Sequence, residues 1–384
     1  VTKRKILSFS HYGLMYGANK SLLSLIKTTT SDIEWYVVCR EEGEFIEILR
    51  EMNVKCYVIP YNLDIYEKKG NLTIIKSVVK LLINIALLPY IYILVIRNNI
   101  KIIHSNSSII LIGAFTSLIT NRPHVWHFRE FGDIDYGFTY NFGNRFFKYF
   151  SNKSEYIICV SKALYKHKVL LNKLKTKCKV IYNGIEINYK SNKELDCISS
   201  HTHKPYNIAI IGLIHPAKNQ LVAIKAAKLL INNGENINLR IIGGIGDKEY
   251  YLELIEFIKE NNLSAYIEFC GFKNNISTVF HDTAISLVCS ENEAMGRVSI
   301  ESMLNYIPVV AYNSAGNSEI INNYVTGILY RGGEYELQEA IKLVIDNSAL
   351  RLNIQKNGFD YAKSNYSLET YRESFLEVIN SLKG

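Results

Sequence analysis

The sequence predicts an α/β protein made of two doubly wound domains, and three observations predict it. Short apolar strands alternate with amphipathic helices along nearly the whole chain, the pattern of parallel βαβ units. A polar stretch at 190–204 interrupts that rhythm, and the same alternation restarts after it. The 384 residues suffice for two or three domains at roughly 100–200 residues each.

In the first half, 5–10 reads as a strand, 11–16 as a loop, and 17–26 as a helix entrance with an apolar stripe. Strand 35–39, helix 44–52 and strand 54–59 follow. A long helical region, 72–96, leads to strand 100–105, helix 109–119 and strand 124–128. Strands at 156–160 and 179–182 complete the set. The second half reads as strand 207–212, helix 220–232, strand 239–244, helix 248–261 and strands 267–270 and 284–288. A helix near Arg297, a strand at 307–310 and helices 337–345, 349–364 and 368–382 finish the chain. Right-handed crossovers make both sheets parallel, and ligands in such folds lie beyond the carboxyl ends of the strands. Two such domains facing each other form a deep interdomain cleft, a favoured place for a ligand.

Composition narrows the class. Hydrophobic residues make up 48% of the chain, enough for globular cores. The seven cysteines are odd in number, scattered, and form no Cys-x-x-Cys. That speaks against a disulfide scaffold or a zinc site and for a reducing cytosol. The net charge of +8 is uneven: residues 1–204 carry 29 basic and 16 acidic residues, residues 205–384 carry 15 and 20. A basic first half suits an anionic membrane surface or a phosphorylated acceptor. No signal peptide is expected at the start of the sequence. The apolar run 81–96, broken by Asn84 and Pro89, falls short of the ~20 residues needed to span a bilayer. It reads as a buried helix or one dipped into the membrane interface. The protein is expected in the cytoplasm, peripheral at the inner face of the cell membrane.

The stretch that carries chemistry is 288–311. A strand ends near Val288, a polar turn runs from Ser290 to Gly296, and a helix begins at Arg297. A helix start offers unpaired N–H groups to an anion, and Gly296 lets backbone approach a ligand. Glu293 on the turn and Glu301 in the helix suit sugar and ribose hydroxyls better than phosphates. Further candidates stand at strand ends. Gly17 opens a helix after the first strand. His127 ends strand 124–128, with Arg129 and Glu130 in the same loop; His104 and His124 are weaker candidates, and Asn106 is a candidate hydrogen-bonding group in the cleft. Lys218 follows the strand 207–212. Asp133 and Asp135 form an Asp-x-Asp, but in an aromatic loop, 131–142, rather than at the end of a buried strand, so no metal site is assigned there. Tyr136, Phe138 and Tyr140 make that loop a candidate acceptor contact. His201 and His203 have no metal-ligand companions.

Taken together, the Glu-x7-Glu spacing of Glu293 and Glu301, Gly296, the 308–310 strand and the 316–320 segment resemble the retaining glycosyltransferases of family 4, which have the GT-B fold. The resemblance covers essentially the whole chain. The family's Gly-Gly-Ala-Glu turn appears as Tyr16-Gly17-Ala18-Asn19, and its Gly-Arg-Leu-x-x-x-Lys-Gly as 212–219, where Lys218 matches and Leu213 replaces the arginine. The turn at Asn183-Gly184 resembles the one closing the family's first domain.

The resemblance implies a nucleotide-sugar-binding domain at 205–365 and a final helix, 366–384, crossing back to an acceptor-side domain at 1–204. It implies His127, Lys218 and Glu293 as catalytic residues. Gly17, Phe272, Met295, Gly296, Arg297 and Glu301 would bind the donor, with Arg297 standing in for the arginine missing at Leu213. It further implies a UDP- or GDP-sugar donor, a polysaccharide or lipid-linked saccharide acceptor, no metal, and no cofactor besides the donor. Rival readings are a glycoside hydrolase, a nucleotide-sugar epimerase of the same fold, and a nucleic-acid-binding protein using the basic half. Glu293 and Glu301 on one turn–helix unit do not flank a glycosidic bond as a hydrolase pair must, and nucleic acid is not the expected partner.

Overall fold

The computed structural model describes residues 3–66, 70, 72–186, 205–273 and 277–382. The chain forms two compact units, the first comprising Val1–Glu186 with Leu368–Gly384, the second Ile187–Ser367. The expected linker 190–204, with His201 and His203, lies outside the described residues.

In the first unit, β1 (Arg4–Ser10), α1 (Gly17–Thr29), β2 (Ile33–Cys39), α2 (Glu44–Glu51) and β3 (Lys55–Val58) come first. A two-residue strand β4 (Ile65–Tyr66), helix α3 (Thr73–Arg97), β5 (Ile102–Ser105), α4 (Ile112–Thr120) and β6 (His124–Phe128) follow. Then come β7 (Thr139–Tyr140), α5 (Gly143–Ser151), β8 (Tyr156–Cys159) and β9 (Lys177–Val180). Seven strands make one parallel sheet in the order β3-β2-β1-β5-β6-β8-β9, while β4 and β7 pair antiparallel on their own. The order reverses between β1 and β5, so the loops after those strands diverge and leave a crevice at the carboxyl edge.

The second unit contains β10 (Tyr206–Ile211), α6 (Gln220–Asn232), β11 (Ile237–Ile242), α7 (Lys248–Glu260), β12 (Ile267–Gly271) and β13 (Ile285–Val288). After these come α8 (Arg297–Met303), β14 (Val309–Tyr312), β15 (Ile328–Tyr330), α9 (Glu334–Asp346) and α10 (Ser348–Asn365). Its six strands are parallel in the order β12-β11-β10-β13-β14-β15, reversing between β10 and β13. The last helix, α11 (Leu368–Ser381), belongs to the first unit. Its Phe375 stacks on Trp35 of β2 at 5.9 Å, and Arg372 pairs with Asp32 at 2.8 Å. The fold is therefore the expected one, two Rossmann-like parallel-sheet units.

The sheet cores follow from composition. Ile6, Val37, Ile102, Val125 and Ile158 fill the first sheet's core, and Ile208, Ile210, Leu239, Ile285 and Leu287 the second's. Strands covered on both faces lose the in–out alternation and read as apolar runs, which is why they were visible in the sequence.

Several elements differ from expectation. Helix α5, a segment to which the sequence reading assigns no element, is amphipathic: Phe147 and Phe150 are buried while Asn144 and Arg145 face out. Tyr140, expected as a contact surface, is buried and stacks on Phe147 at 4.2 Å. The run 81–96, expected as a buried helix or one dipped into the membrane interface, is part of α3, 25 residues long, and most of its apolar side chains are exposed, so the buried alternative does not hold. In the basic 162–179 segment, Lys168 is buried, held by Asp133 at 3.2 Å and the Tyr140 hydroxyl at 3.3 Å.

Candidate active site

In the second unit the turn 290–296 is fixed by backbone. Gly316 N–H donates to the Glu293 carbonyl at 2.8 Å, and a Cβ on Gly316 would lie 2.7 Å from Met295 Cα. Only glycine permits that approach. Gly296 precedes α8 with φ of 88°, the left-handed region, and Asn317 Oδ1 and Ser299 Oγ surround the place of its missing Cβ. Asn317 is buried and its amide donates to the Tyr312 carbonyl at 3.2 Å. The segment 316–320 thus forms the floor of the turn.

Two ion pairs stand there. Lys218 Nζ donates to Glu293 Oε2 at 2.7 Å, with both side chains about four-fifths covered. Arg297 Nε donates to Glu301 Oε1 at 2.7 Å, one helical turn along α8. Lys218 reaches its place because the loop after β10 winds into a short 3-10 turn, 216–218, begun by His215, whose Nδ1 accepts from the Ala217 N–H at 3.1 Å. Met295 is buried, so it offers the site backbone rather than side chain, whereas Phe272, beyond β12, is exposed. Arg297, the expected stand-in for the arginine missing at Leu213, is engaged by Glu301 as Lys218 is by Glu293. Leu213 itself packs on the turn 243–246, where Gly243 lets the two loops touch: a Cβ there would be 1.8 Å from the Gly212 carbonyl oxygen. Those glycines serve loop packing.

In the first unit, Arg129 is the centre of the carboxyl edge. Its Nε donates to Asn106 Oδ1 at 2.6 Å and its Nη1 to Asn183 Oδ1 at 2.7 Å. Its Nη2 donates to His127 Nδ1 at 3.3 Å and to the Tyr371 hydroxyl at 3.2 Å. One guanidinium therefore joins the loops after β5, β6 and β9 to α11. It is buried, and none of these four partners is a carboxylate. Glu130, next in the chain, instead accepts from Ser107 Oγ, Ser108 N–H and Ser108 Oγ.

That network decides the state of His127. Arginine only donates, so His127 Nδ1 accepts and the ring proton belongs on Nε2. Nε2 is buried and has no hydrogen-bond partner among the described residues. Burial, then Arg129, then His104 hold the imidazole pKa well below its usual value, so the ring is neutral. His104 is a second neutral, buried ring, 5.8 Å from His127, its Nδ1 bonded to Ser8 Oγ at 2.9 Å. His124 is structural: Ser105 and Ser154 occupy its two nitrogens.

Gly17 begins α1 with no atom within 4 Å of where a Cβ would stand, so the space beside it is open. The loop before it is held by Asn19, which stands where the resembled turn has glutamate. Its amide donates to the Tyr12 and Leu14 carbonyls at 2.6 and 2.8 Å, and its Oδ1 accepts from Ser10 Oγ. Asp133 is engaged by His167 and Lys168, and Asp135 accepts backbone N–H groups of Phe131 and Tyr136. Both aspartates have local work that explains them.

Sequence reasoning singled out Glu293, Lys218 and His127 by type and position but missed the contacts of Arg129, Asn183 and Asn19. An asparagine or arginine at a strand end looks like any loop residue until its partners, up to 242 residues away, are in place.

Two family models match the chain: Glycosyltransferase Family 4 over residues 17–189 and Glycosyl transferases group 1 over residues 192–361. An uncharacterized glycosyltransferase of Methanocaldococcus jannaschii is 32% identical over 225 residues, 58% of this chain and 58% of that protein's length. The capsular polysaccharide biosynthesis glycosyltransferase CapM of Staphylococcus aureus is 25% identical over 71% of this chain and 74% of CapM. The chain thus spans less than two thirds of the archaeal relative and about three quarters of CapM. Anabaena HepE, solved in complex with UDP and glucose, matches in structure with a TM-score of 0.80 at 22% identity, over 99% of this chain and 100% of HepE. Its likeness speaks to the fold. With one family model on each half and that structural match along nearly its whole length, the chain belongs to the family 4 type of glycosyltransferases and has their GT-B fold.

Proposed function

We propose that the protein moves a sugar from a nucleoside-diphosphate donor to a hydroxyl of a polysaccharide or lipid-linked saccharide in surface glycan synthesis. The observation that carries this reading is the Lys218–Glu293 pair, 2.7 Å apart, at the carboxyl edge of the second sheet beside the start of α8. A cation for a diphosphate and a carboxylate for sugar hydroxyls stand together, held in place by a turn that glycines fix. CapM's role in capsular polysaccharide biosynthesis and the complex of HepE with UDP and glucose support the substrate class, with a UDP-sugar favoured over a GDP-sugar.

In this reading the donor's diphosphate replaces Glu293 as the partner of Lys218. Glu293 turns to the sugar hydroxyls and Glu301 to the ribose. Backbone at Gly17 and Gly296 adds donors, Arg297 supports the phosphates, and Met295 and Phe272 border the nucleotide. His127 donates from Nε2 to a sugar oxygen and, being neutral with its proton there, is not a base. The bond from the sugar's anomeric carbon to the phosphate oxygen breaks, and the bond to the acceptor oxygen forms on the same face. The acceptor's proton passes to the leaving phosphate, so configuration is retained with no metal and no further cofactor. Charge building on the diphosphate is met by fixed donors, the largest usual source of rate enhancement. The described cysteines are unpaired thiols, which suits a cytoplasmic site of action.

Thermal unfolding with UDP-, GDP- and ADP-sugars tests the reading, since a ligand that binds only the folded state raises stability by mass action. A UDP-sugar is expected to raise the midpoint, and the product anomer, read by proton coupling, to match the donor. Absence of stabilisation by every sugar nucleotide would remove the proposal.

A further inference from the structure

Helix α3 is built inside out. The residues it turns inward are Ser77, Asn84, Ile91, Leu94 and Val95, and the first three repeat every seven positions as one stripe of a helix does. Two of them are polar and bonded to the domain: Ser77 Oγ to Asn141 Oδ1 at 3.2 Å, and Asn84 to both the N–H and the carbonyl of Asn62 at 2.7 and 2.9 Å. Away from that stripe α3 carries Ile75, Val78, Val79, Leu82 and Ile83, and beside it Ile74, all exposed, with Ile74 at 74% and Ile75 at 60%. A helix bathed in water puts its polar residues outward, so this one is matched to an apolar medium. By length and composition α3 would cross a membrane. Its bonds to Asn62 and Asn141 instead keep it against the unit, lying along a surface for roughly 37 Å at 1.5 Å per residue.

Its charges and its neighbours identify the medium and what arrives with it. None of its 25 residues is acidic, and Lys76, Lys80 and Arg97 are cationic. A second copy would set cation against cation, whereas an anionic leaflet attracts each lysine or arginine by about 1 kcal/mol. At the first turns of α3 there is a cavity of about 650 Å³, bordered by Arg40, Lys76, Lys80, Tyr12, Tyr66 and Asn141. Asp64, buried beside β4, has its pKa raised to about 7 by burial, so it opposes an anion only weakly.

We propose that the exposed face of α3 lies in an anionic lipid leaflet and that the cavity at its first turns receives the phosphate of a lipid-linked saccharide acceptor. The word acceptor rests on the glycosyl-transfer reading; the lipid contact and the phosphate site do not. Arginine and lysine lining the cavity suit a phosphate's several oxygens, and the apolar face of α3 takes the lipid to which that phosphate is joined.

Vesicle flotation of the full chain tests both parts. Wild type is expected to float with phosphatidylcholine vesicles containing phosphatidylglycerol, and the triple variant Ile75→Glu, Val79→Glu, Leu82→Glu to bind them at least tenfold more weakly, with unchanged circular dichroism and unchanged sugar-nucleotide stabilisation. Replacing phosphatidylglycerol by phosphatidate at equal surface charge should tighten wild-type binding several-fold. Arg40→Ala with Lys76→Ala should abolish that preference while phosphatidylglycerol binding persists. Equal flotation of wild type and the triple variant overturns the lipid contact. So does a wild-type dimer that the triple variant makes monomeric while neither floats, since a second copy then covers the face. A wild type indifferent to phosphatidate overturns the phosphate site, as does equal loss of that preference to millimolar inorganic phosphate and to an equal ionic strength of chloride. If sugar nucleotides fail to bind while these results hold, only the transfer reading falls.

Discussion

The carboxyl edges of the two sheets solve opposite electrostatic problems. In the second unit, Lys218 with Glu293 and Arg297 with Glu301 are complete ion pairs, partly open to water. In the first, the edge is built of neutral groups, His104, His127, Asn106, Asn183 and Tyr371, around the single buried charge of Arg129. A part-exposed ion pair contributes little to stability and exchanges partners at small cost. A buried guanidinium satisfied by neutral acceptors is costly to disturb, because every acceptor it leaves is stranded. The difference teaches which edge is poised to trade partners for a charged ligand and which is set in advance.

The sharpest way to break that comparison is at the pair. Glu293→Ala and Lys218→Ala are each expected to lower kcat/KM by about 100-fold or more, roughly 3 kcal/mol of transition-state stabilisation, while the unfolding midpoint moves little. Loss of folding in either variant would mean the pair is structural after all. In the first unit the order should invert. Arg129→Met is expected to lower stability by about 3 kcal/mol in denaturant titration. It should also free the His127 proton to exchange between Nδ1 and Nε2, seen in the imidazole nitrogen shifts. An unchanged tautomer would detach Arg129 from His127.

A smaller effect comes from Asp64. Burial raises its folded pKa to about 7, above the roughly 3.9 of an unfolded aspartate. The folded state therefore holds its proton where the unfolded state has released it. Stability from this group is full below about pH 4 and falls as pH rises toward 7. Asp64→Asn should flatten that slope and raise stability at pH 8 by on the order of 1–3 kcal/mol; an unaltered pH profile of the midpoint would show that Asp64 ionises normally. The smallest effect is expected for Arg297→Ala. Its pair with Glu301 spans one turn of a helix, worth about 0.5 kcal/mol, so stability should hardly change and kcat/KM should fall less than tenfold. A loss as large as that of Lys218→Ala would make Arg297 the true replacement for the arginine absent at Leu213.

Strand and helix order was legible because both sheets are covered on two faces and their strands are apolar runs. The same logic reached α3 only in part: an apolar stretch reads as buried or as dipped into a membrane interface, and nothing in its composition tells that Ser77 and Asn84 mark the inner stripe. Tyr140 failed for the converse reason: aromatic residues in a glycine-bearing loop look like contact surface, yet α5 turns Phe147 toward it. Of the candidate site, residue type at a strand end pointed to Glu293, Lys218 and His127, whereas the supports depend on groups brought from remote parts of the chain.

The sequence alone determined the two parallel sheets, the strand ends that carry the candidate residues, and the turn–helix unit from Ser290 onward, because these rest on periodicity and on residues close in the chain. The tertiary structure alone decided that Arg129 links three loops to α11, that His127 carries its proton on Nε2, and that Lys218 is paired with Glu293. It also decided which side of α3 is bare. Each of these is a contact between distant segments, and local propensity carries no information about which partner a side chain will meet once the sheets have closed.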